Sequence, residues 1–131
     1  MAAVLACLLL AVVGNGRRVS AASKVWAKVG SKCYNGIGKR IPGAFLRGID
    51  VSEWQGQINW KKVAASNVDF AFIRAFYGTG RKDLFYETNM KSAQQAGIPV
   101  GVYFYSRALT YSETLKEAQT LIRALDGYLV S

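Results

Sequence analysis

The stretch GIDVSEWQG, residues 48–56, holds the side chains best suited to chemistry. The β-branched residues on both sides of Asp50 predict a short buried strand that brings Asp50 and Trp54 to the loop at its carboxyl end. Parallel sheets and barrels build their sites at this end of their strands. A carboxylate there could act on a glycosidic bond while an indole face packs on the sugar ring. Alternatively, Asp50 only caps the loop and Trp54 belongs to the core.

The residues that follow predict alternating helices and strands, which would position this stretch. Asn59 and the Thr110/Glu113 capping box mark helix starts, and Gly97 with Pro99 marks a helix end. The predicted elements are helices over 59–66, 84–96 and 110–123, strands over 70–76 and 100–105, and the start of a fourth strand at 128–131. The continuous apolar run of 70–76 is typical of a strand covered on both faces.

Strand and helix units in tandem require parallel pairing and right-handed crossovers, so the fold class is α/β. Two closures are open: a small doubly wound sheet, or the first part of an eight-stranded barrel of about 250 residues. A doubly wound sheet would be expected to have a glycine-rich phosphate loop after its first strand, and residues 52–56 do not form one. The sequence therefore favours the first three strand-helix units of a TIM-like barrel, truncated before strand 4.

Three polar side chains stand within the apolar strands. Arg74 is expected to meet a carboxylate, from Asp50 or from a partner that is absent here, unless it snorkels to a sheet end. Tyr103 and Tyr105 share one side of their strand near its carboxyl end. Their hydroxyls imply a polar pocket, although a core position is the alternative.

The net charge of +9 is unevenly distributed. Residues 1–49 contain eight Lys or Arg and no acid, whereas residues 50–131 contain nine basic and eight acidic side chains. The globular part is thus nearly neutral, and the basic part could favour anionic surfaces such as a cell wall or membrane. No aromatic-basic motif of a recognised kind is present, which argues against nucleic-acid binding.

The chain begins with an apolar run, residues 2–13, of signal-peptide length. Cleavage after Ala21 or Ala22 fits the small residues there, so 1–22 is predicted to be a signal peptide of a secreted, cell-wall-associated protein. No basic residue precedes the run, and an uncleaved short anchor is the alternative. Residues 23–45 are interpreted as a basic linker, with an extra wall-contacting strand as the alternative, and 46–131 as the folded domain.

Cysteine and histidine usage excludes several chemistries. Cys7 would leave with the leader, so Cys33 would stand alone and form no internal disulfide. The chain has no histidine, which argues against a zinc site or a Ser-His or Cys-His nucleophile pair within it.

Four blocks of the sequence resemble the amino-terminal half of the glycoside hydrolase family 25 lysozymes, in order and in spacing. The blocks are Asp50-Val51-Ser52 with Trp54-Gln55-Gly56, Ile58-Asn59-Trp60 with Val63, FAFIRA at 70–75, and AGIPVGVY at 96–103. The resemblance implies an irregular β/α barrel that hydrolyses the β-1,4 bond between N-acetylmuramic acid and N-acetylglucosamine in peptidoglycan. It also implies neither a metal nor an organic cofactor.

Site residues follow from the same resemblance. Asp50 matches the first active-site aspartate, Tyr103 matches a tyrosine that lines the sugar site, and Arg74 falls where the family has a basic residue. Trp54 and Tyr105 are further candidates for substrate binding through their rings. Glu53 falls at a position that varies in the family, so the resemblance assigns it no acid role.

The family also carries an Asp-x-Glu at the end of its fourth strand, whose Glu is taken as the general acid, and this motif is expected just past residue 131. We therefore expect the 131 residues alone to lack wall-lysing activity. The alternative is a non-catalytic glycan-binding remnant that uses Trp54, Tyr103 and Tyr105. A small open-sheet binding domain unrelated to sugars is a third possibility.

Overall fold

The computed structural model describes residues 26–78 and 80–128. The strands are β1 (Ala27–Val29), β2 (Lys32–Tyr34), β3 (Gly48–Val51), β4 (Phe70–Tyr77), β5 (Arg81–Lys82) and β6 (Val100–Tyr105). The helices are α1 (Trp60–Ala64), α2 (Tyr86–Gln95) and α3 (Tyr111–Ala124), and a single 3₁₀ turn spans Glu53–Gln55. The predicted leader, 1–22, and residues 129–131 of the predicted fourth strand lie outside the described residues. No helix in the described part is long and apolar enough to cross a membrane.

The main sheet is built around β4, the longest strand. β3 and β6 flank it in parallel orientation, and the short β5 pairs with its end in antiparallel orientation. The register aligns Asp50 with Phe72 and Phe72 with Gly101. Two residues further along the strands it aligns Arg74 with Tyr103. The fold is therefore mixed α/β with a parallel sheet, as the alternation of elements predicts.

Helices α1, α2 and α3 contribute to one core on one face of the sheet. Ile73 and Ala75 of β4 are fully buried against Trp60, Tyr86 and Met90. The other face stays open, and Phe72 on it is 49% exposed. The prediction that β4 is covered on both faces is therefore wrong for the described residues, because all three helices pack on the side of its odd-numbered residues.

Local side-chain caps explain where two of the helices begin. The Asn59 side chain accepts a hydrogen bond from the backbone N–H of Lys62 at 3.1 Å, and α1 starts at the next residue. Thr110 and Glu113 form the predicted capping box at the start of α3. These caps satisfy backbone N–H groups that have no partner within the helix, so both predicted starts are confirmed.

The segment interpreted as a linker contains an ordered hairpin. Strands β1 and β2 pair in antiparallel orientation, and Cys33 in the middle of β2 is buried, with its thiol donating to the Leu46 carbonyl at 3.5 Å. Asp69 fastens this hairpin to the sheet because it accepts hydrogen bonds from the Lys28 ammonium group and from the Arg47 backbone N–H. Residues 26–45 thus contain ordered strands where the sequence was interpreted as a basic linker, and contact of this segment with a wall stays a prediction.

Candidate functional site

The open face of the sheet presents side chains at three levels along the strands. Because neighbours in register point to the same side of a sheet, the levels follow from the pairing. They are Asp50 with Phe72 and Gly101, then Arg74 with Tyr103, and finally Tyr77 with Tyr105 at the carboxyl ends of β4 and β6. This face therefore brings together four of the five site residues predicted from the sequence.

Asp50 lies at an open depression of about 340 Å³ that Phe72, Val102 and Tyr103 also line. Within the described residues, no hydrogen bond or ion pair engages its exposed carboxylate. The Phe72 ring lies over Gly101, where an added Cβ would stand 2.5 Å from a ring carbon. Glycine at this position therefore lets the Phe72 ring lie against β6, beside Asp50 on the open face.

Tyr103 lies one level beyond Asp50 along the strands, and the Asp50 carboxylate interacts electrostatically with its phenol. Burial is the largest cause that raises the pKa of Tyr103, and the Asp50 carboxylate raises this pKa further, while Arg74 acts in the opposite direction. The phenol therefore stays protonated at neutral pH and can donate a hydrogen bond to a ligand or to a carboxylate.

Arg74 forms a buried ion-pair network with two carboxylates that sequence reasoning did not select. It is 6% exposed, and its Nη2 lies 2.9 Å from Asp83 Oδ2 and 3.1 Å from Glu53 Oε1. The predicted partners, Asp50 or a group absent from the chain, are therefore wrong, and so is the alternative of a snorkelling side chain. Burial of a guanidinium requires such pairing. Its role in substrate binding stays a prediction.

Asp83 is the residue of this network that the sequence analysis missed. Its carboxylate also accepts hydrogen bonds from the backbone N–H groups of Glu53 at 2.8 Å and of Phe85 at 3.0 Å. It therefore joins the 3₁₀ turn after β3 to the segment that leads into α2. Aspartate side chains often accept a hydrogen bond from the backbone N–H two residues further along, as Asp83 does from Phe85. This local preference is the one sequence feature that could have drawn attention to Asp83.

Trp54 lies on the 3₁₀ turn that follows β3. The turn is fixed by a capping box in which the backbone N–H of Ser52 donates to Gln55 Oε1 at 2.8 Å. The indole is 78% exposed and does not line the depression. The structure thus leaves the ring free for an external ligand, and its contact with a sugar stays a prediction.

A second cavity, of about 540 Å³, lies beyond Tyr103 at the ends of β4 and β6. Tyr77 on its wall stacks on Tyr105, with ring centroids 5.1 Å apart and planes 13° apart. The Arg107 guanidinium lies over the Tyr77 ring, 5.4 Å from its centroid. The sequence analysis selected Tyr105 here but neither Tyr77 nor Arg107, since no pattern indicates contact between the two strand ends.

Metal ligation finds no support in the described part of the chain. Residues 26–78 and 80–128 contain no group of three or more His, Cys, Asp or Glu side chains that could hold a metal ion. Among the described residues, this face presents the Asp50 carboxylate, the Tyr103 and Tyr105 phenols and the Arg74 guanidinium.

The chain is similar in sequence and in fold to proteins of one known family. The profile of the glycosyl hydrolases family 25 matches residues 49–129. Lysozyme M1 of Streptomyces globisporus is 44% identical over 69 residues, which are 53% of this chain and 24% of that protein. The chain spans about a quarter of the length of the curated relatives that it matches.

Solved structures agree with the sequence match. The modular autolysin LytC from Streptococcus pneumoniae is 30% identical and superposes with a TM-score of 0.67 over 81% of this chain and 26% of LytC. It has also been solved in complex with a synthetic peptidoglycan ligand. A family 25 glycosyl hydrolase from Bacillus anthracis is 31% identical, with a TM-score of 0.55 over 60% of this chain and 35% of that one.

The family match covers β3 from Ile49 onward, all of β4 and β6, and with them the side chains of the open face. It therefore includes Asp50, Arg74 and Tyr103 and excludes the hairpin of β1 and β2. Since the matched residues 49–129 are more than half of the 131 residues, this chain belongs to the glycosyl hydrolases family 25.

Proposed function

We propose that this chain is part of a secreted peptidoglycan hydrolase that cleaves the β-1,4 bond between N-acetylmuramic acid and N-acetylglucosamine. The observation that carries the proposal is the unpaired Asp50 carboxylate in an open depression at the carboxyl end of β3, between Phe72 and Tyr103. The relatives of this chain include proteins named lysozyme and autolysin. Sites of barrel enzymes are built from residues at the carboxyl ends of their strands, which is the position of Asp50 on β3.

Asp50 would act as one of two carboxyl groups. Glycoside hydrolysis uses one carboxylic acid to protonate the leaving oxygen and a second carboxylate to stabilise or attack the oxocarbenium-like centre. The exposed position of Asp50 leaves its carboxyl group accessible to a substrate, and the protonated Tyr103 phenol can donate a hydrogen bond beside it. Whether the carboxylate attacks the sugar, activates water or assists the substrate's own acetamido group depends on the distance to the second carboxyl group.

The general acid would come from outside the described residues. The carboxylates of Glu53 and Asp83 are both engaged by Arg74. We assign the acid to the Asp-x-Glu motif that the resemblance implies for a following strand. The same strands would cover Phe70 and Phe72, whose rings meet edge to face at 5.5 Å on the open side of the sheet. The 131 residues alone are therefore expected to be inactive.

Analysis of the released sugar ends tests this function. Purified peptidoglycan is incubated with a polypeptide that continues this chain through the following strands, and the new reducing ends are reduced with borotritide and identified. We expect N-acetylmuramic acid at the new ends, and no release by the 131 residues alone. New ends that are N-acetylglucosamine would show cleavage of the other glycosidic bond, and release by the 131 residues alone would contradict the need for a second carboxyl group.

A non-catalytic glycan-binding role is the second candidate, and the exposed aromatic rings favour it. Trp54 is 78% and Tyr105 is 56% exposed, so both rings are free to pack on sugars without any chemistry. Sedimentation of the chain with insoluble peptidoglycan, with no reducing ends released by the continued polypeptide either, would support this role over hydrolysis.

A further inference from the structure

We propose that the cavity at the ends of β4 and β6 binds a carboxylate of the peptide attached to the glycan, with Arg107 as its anchor. The inference rests on the proposed function and names a second contact of the same substrate. The cavity, of about 540 Å³, is lined by Tyr77, Gly78, Gly80, Arg81, Arg107, Ala108, Glu113 and Glu117.

The Arg107 side chain is held flat against the protein. Its guanidinium carbon lies 5.4 Å above the centroid of the Tyr77 ring, which stacks in turn on Tyr105. Its aliphatic part passes over Gly78, where an added Cβ would meet the Arg107 Cδ at 3.7 Å. A guanidinium on an aromatic face keeps its in-plane N–H groups free, and a carboxylate matches two of them at once.

Arg107 differs from the two nearby arginines, Arg74 and Arg81, because they are paired with carboxylates. Arg74 is paired with Asp83 and Glu53, and Arg81 with Glu53 at 2.8 Å. Within the described residues, no carboxylate forms an ion pair with Arg107. Of the two arginines that line the cavity within the described residues, Arg107 is therefore the one whose guanidinium can pair with an incoming anion.

Two carboxylates line the same cavity, and both already have donors. Glu117, which is 2% exposed, accepts from Ser106 Oγ at 2.5 Å and from the backbone N–H of Arg107 at 3.0 Å. Glu113 accepts from the backbone N–H groups of Leu109 and Thr110 at the start of α3. Glu117 thus fixes the backbone that carries Arg107 and leaves the guanidinium free.

The position of the cavity relative to Asp50 indicates which part of the substrate reaches it. Gly101 is level with Asp50, and Tyr105 lies four residues further along β6, about 13 Å at 3.3 Å per residue. Both levels are on the open face of the sheet. A single sugar ring at Asp50 does not extend that far, whereas the peptide on the lactyl group of N-acetylmuramic acid projects away from the glycan and ends in carboxylates.

Binding measurements with three ligands test whether the carboxylate that Arg107 binds belongs to the peptide or to the glycan. The chain is titrated with a muramyl glycan that carries its peptides, with the same glycan after an amidase has removed them, and with the free peptide. We expect tighter binding of the glycan that carries peptides. Arg107→Gln should weaken the binding of this glycan and of the free peptide by about 10-fold and leave the binding of the amidase-treated glycan unchanged. Arg107→Lys keeps the charge without the planar fork and should give an intermediate loss.

Arg123→Gln is the matched control, since it removes an exposed arginine of α3 whose Nη2 donates to Thr120 Oγ1 at 3.1 Å. It should bind all three ligands as the unmodified chain does. Equal weakening of both glycans by Arg107→Gln would show a structural role and overturn the carboxylate site, as would no weakening of either. Absence of binding to both glycans, with binding of the free peptide that depends on Arg107, would contradict the proposed function and uphold the site.

Discussion

The guanidinium of Arg74 contacts a single oxygen of Asp83 through two nitrogen atoms, with Nε and Nη2 both 2.9 Å from Oδ2. The Asp83 side chain is fully buried, and its carboxylate also holds the backbone N–H of Glu53. The pair therefore connects β4, the turn after β3 and the segment before α2 directly above the level of Asp50.

Asp83→Asn should destabilise the fold by about 3 kcal/mol or more, because it leaves a buried guanidinium beside a neutral amide. Asparagine keeps the size of the side chain, so the loss reports the charge and not a cavity. Thermal unfolding followed by circular dichroism measures the effect. Asp126→Asn, at an exposed position, is the matched control and should change the stability by less than about 0.5 kcal/mol. Equal midpoints for the two variants would contradict a structural role of the pair.

Two tryptophans should separate binding from stability. Trp54 is 78% exposed on the 3₁₀ turn after β3, whereas Trp60 is 3% exposed and its indole N–H donates to Asn89 Oδ1 at 3.1 Å. Trp54→Ala should weaken sedimentation with peptidoglycan about 3- to 10-fold, since a ring contact contributes about 1 kcal/mol, and leave the unfolding midpoint unchanged. Trp60→Ala should instead lower the free energy of unfolding by about 3 kcal/mol or more. Unchanged sedimentation of Trp54→Ala would remove this ring from the glycan site.

Acid should weaken the attachment of the amino-terminal hairpin through Asp69. The hydrogen bond from the Lys28 ammonium group, and next the one from the Arg47 backbone N–H, hold the pKa of this carboxyl below its ordinary value of 3.8. A depressed pKa in the folded state stabilises the fold fully above the unfolded value, and this stabilisation is lost as the pH falls through the folded value. The chain should therefore lose this contribution below pH 3.8.

Comparison with Asp69→Asn isolates that contribution. The difference between the two unfolding midpoints should be greatest near about pH 7 and should shrink as the pH falls toward about 2. A difference that stays constant over this range would show that ionisation of Asp69 does not stabilise the fold.

The parts of the fold that sequence predicts well are those fixed by neighbouring residues. The Asn59 cap and the capping box of Thr110 and Glu113 act within three residues, so their patterns indicate helix starts directly. The apolar run of β4 is equally local. Its exposed face is not local, because it depends on which side of the sheet the helices pack.

The errors concern contacts between distant residues. The hairpin of β1 and β2 has strands of only three residues, and Asp69, about 40 positions from Lys28, fastens it to the sheet. Asp83 reaches Arg74 because β5 turns back along β4, which no periodicity in the sequence indicates. The stack of Tyr77 on Tyr105 likewise depends on the register between two strands, shifted by an irregularity between Arg74 and Phe76.

The most direct test of the central claim is the rate of peptidoglycan hydrolysis after Asp50→Asn, in a polypeptide that continues this chain through the following strands. Loss of a catalytic carboxylate should lower kcat by a factor of about 100 or more, while the unfolding midpoint stays unchanged because Asp50 is exposed and unpaired among the described residues. Asp126→Asn should keep the full rate. A rate for Asp50→Asn within about 2-fold of that of the control would contradict the assignment of Asp50 as a catalytic carboxylate.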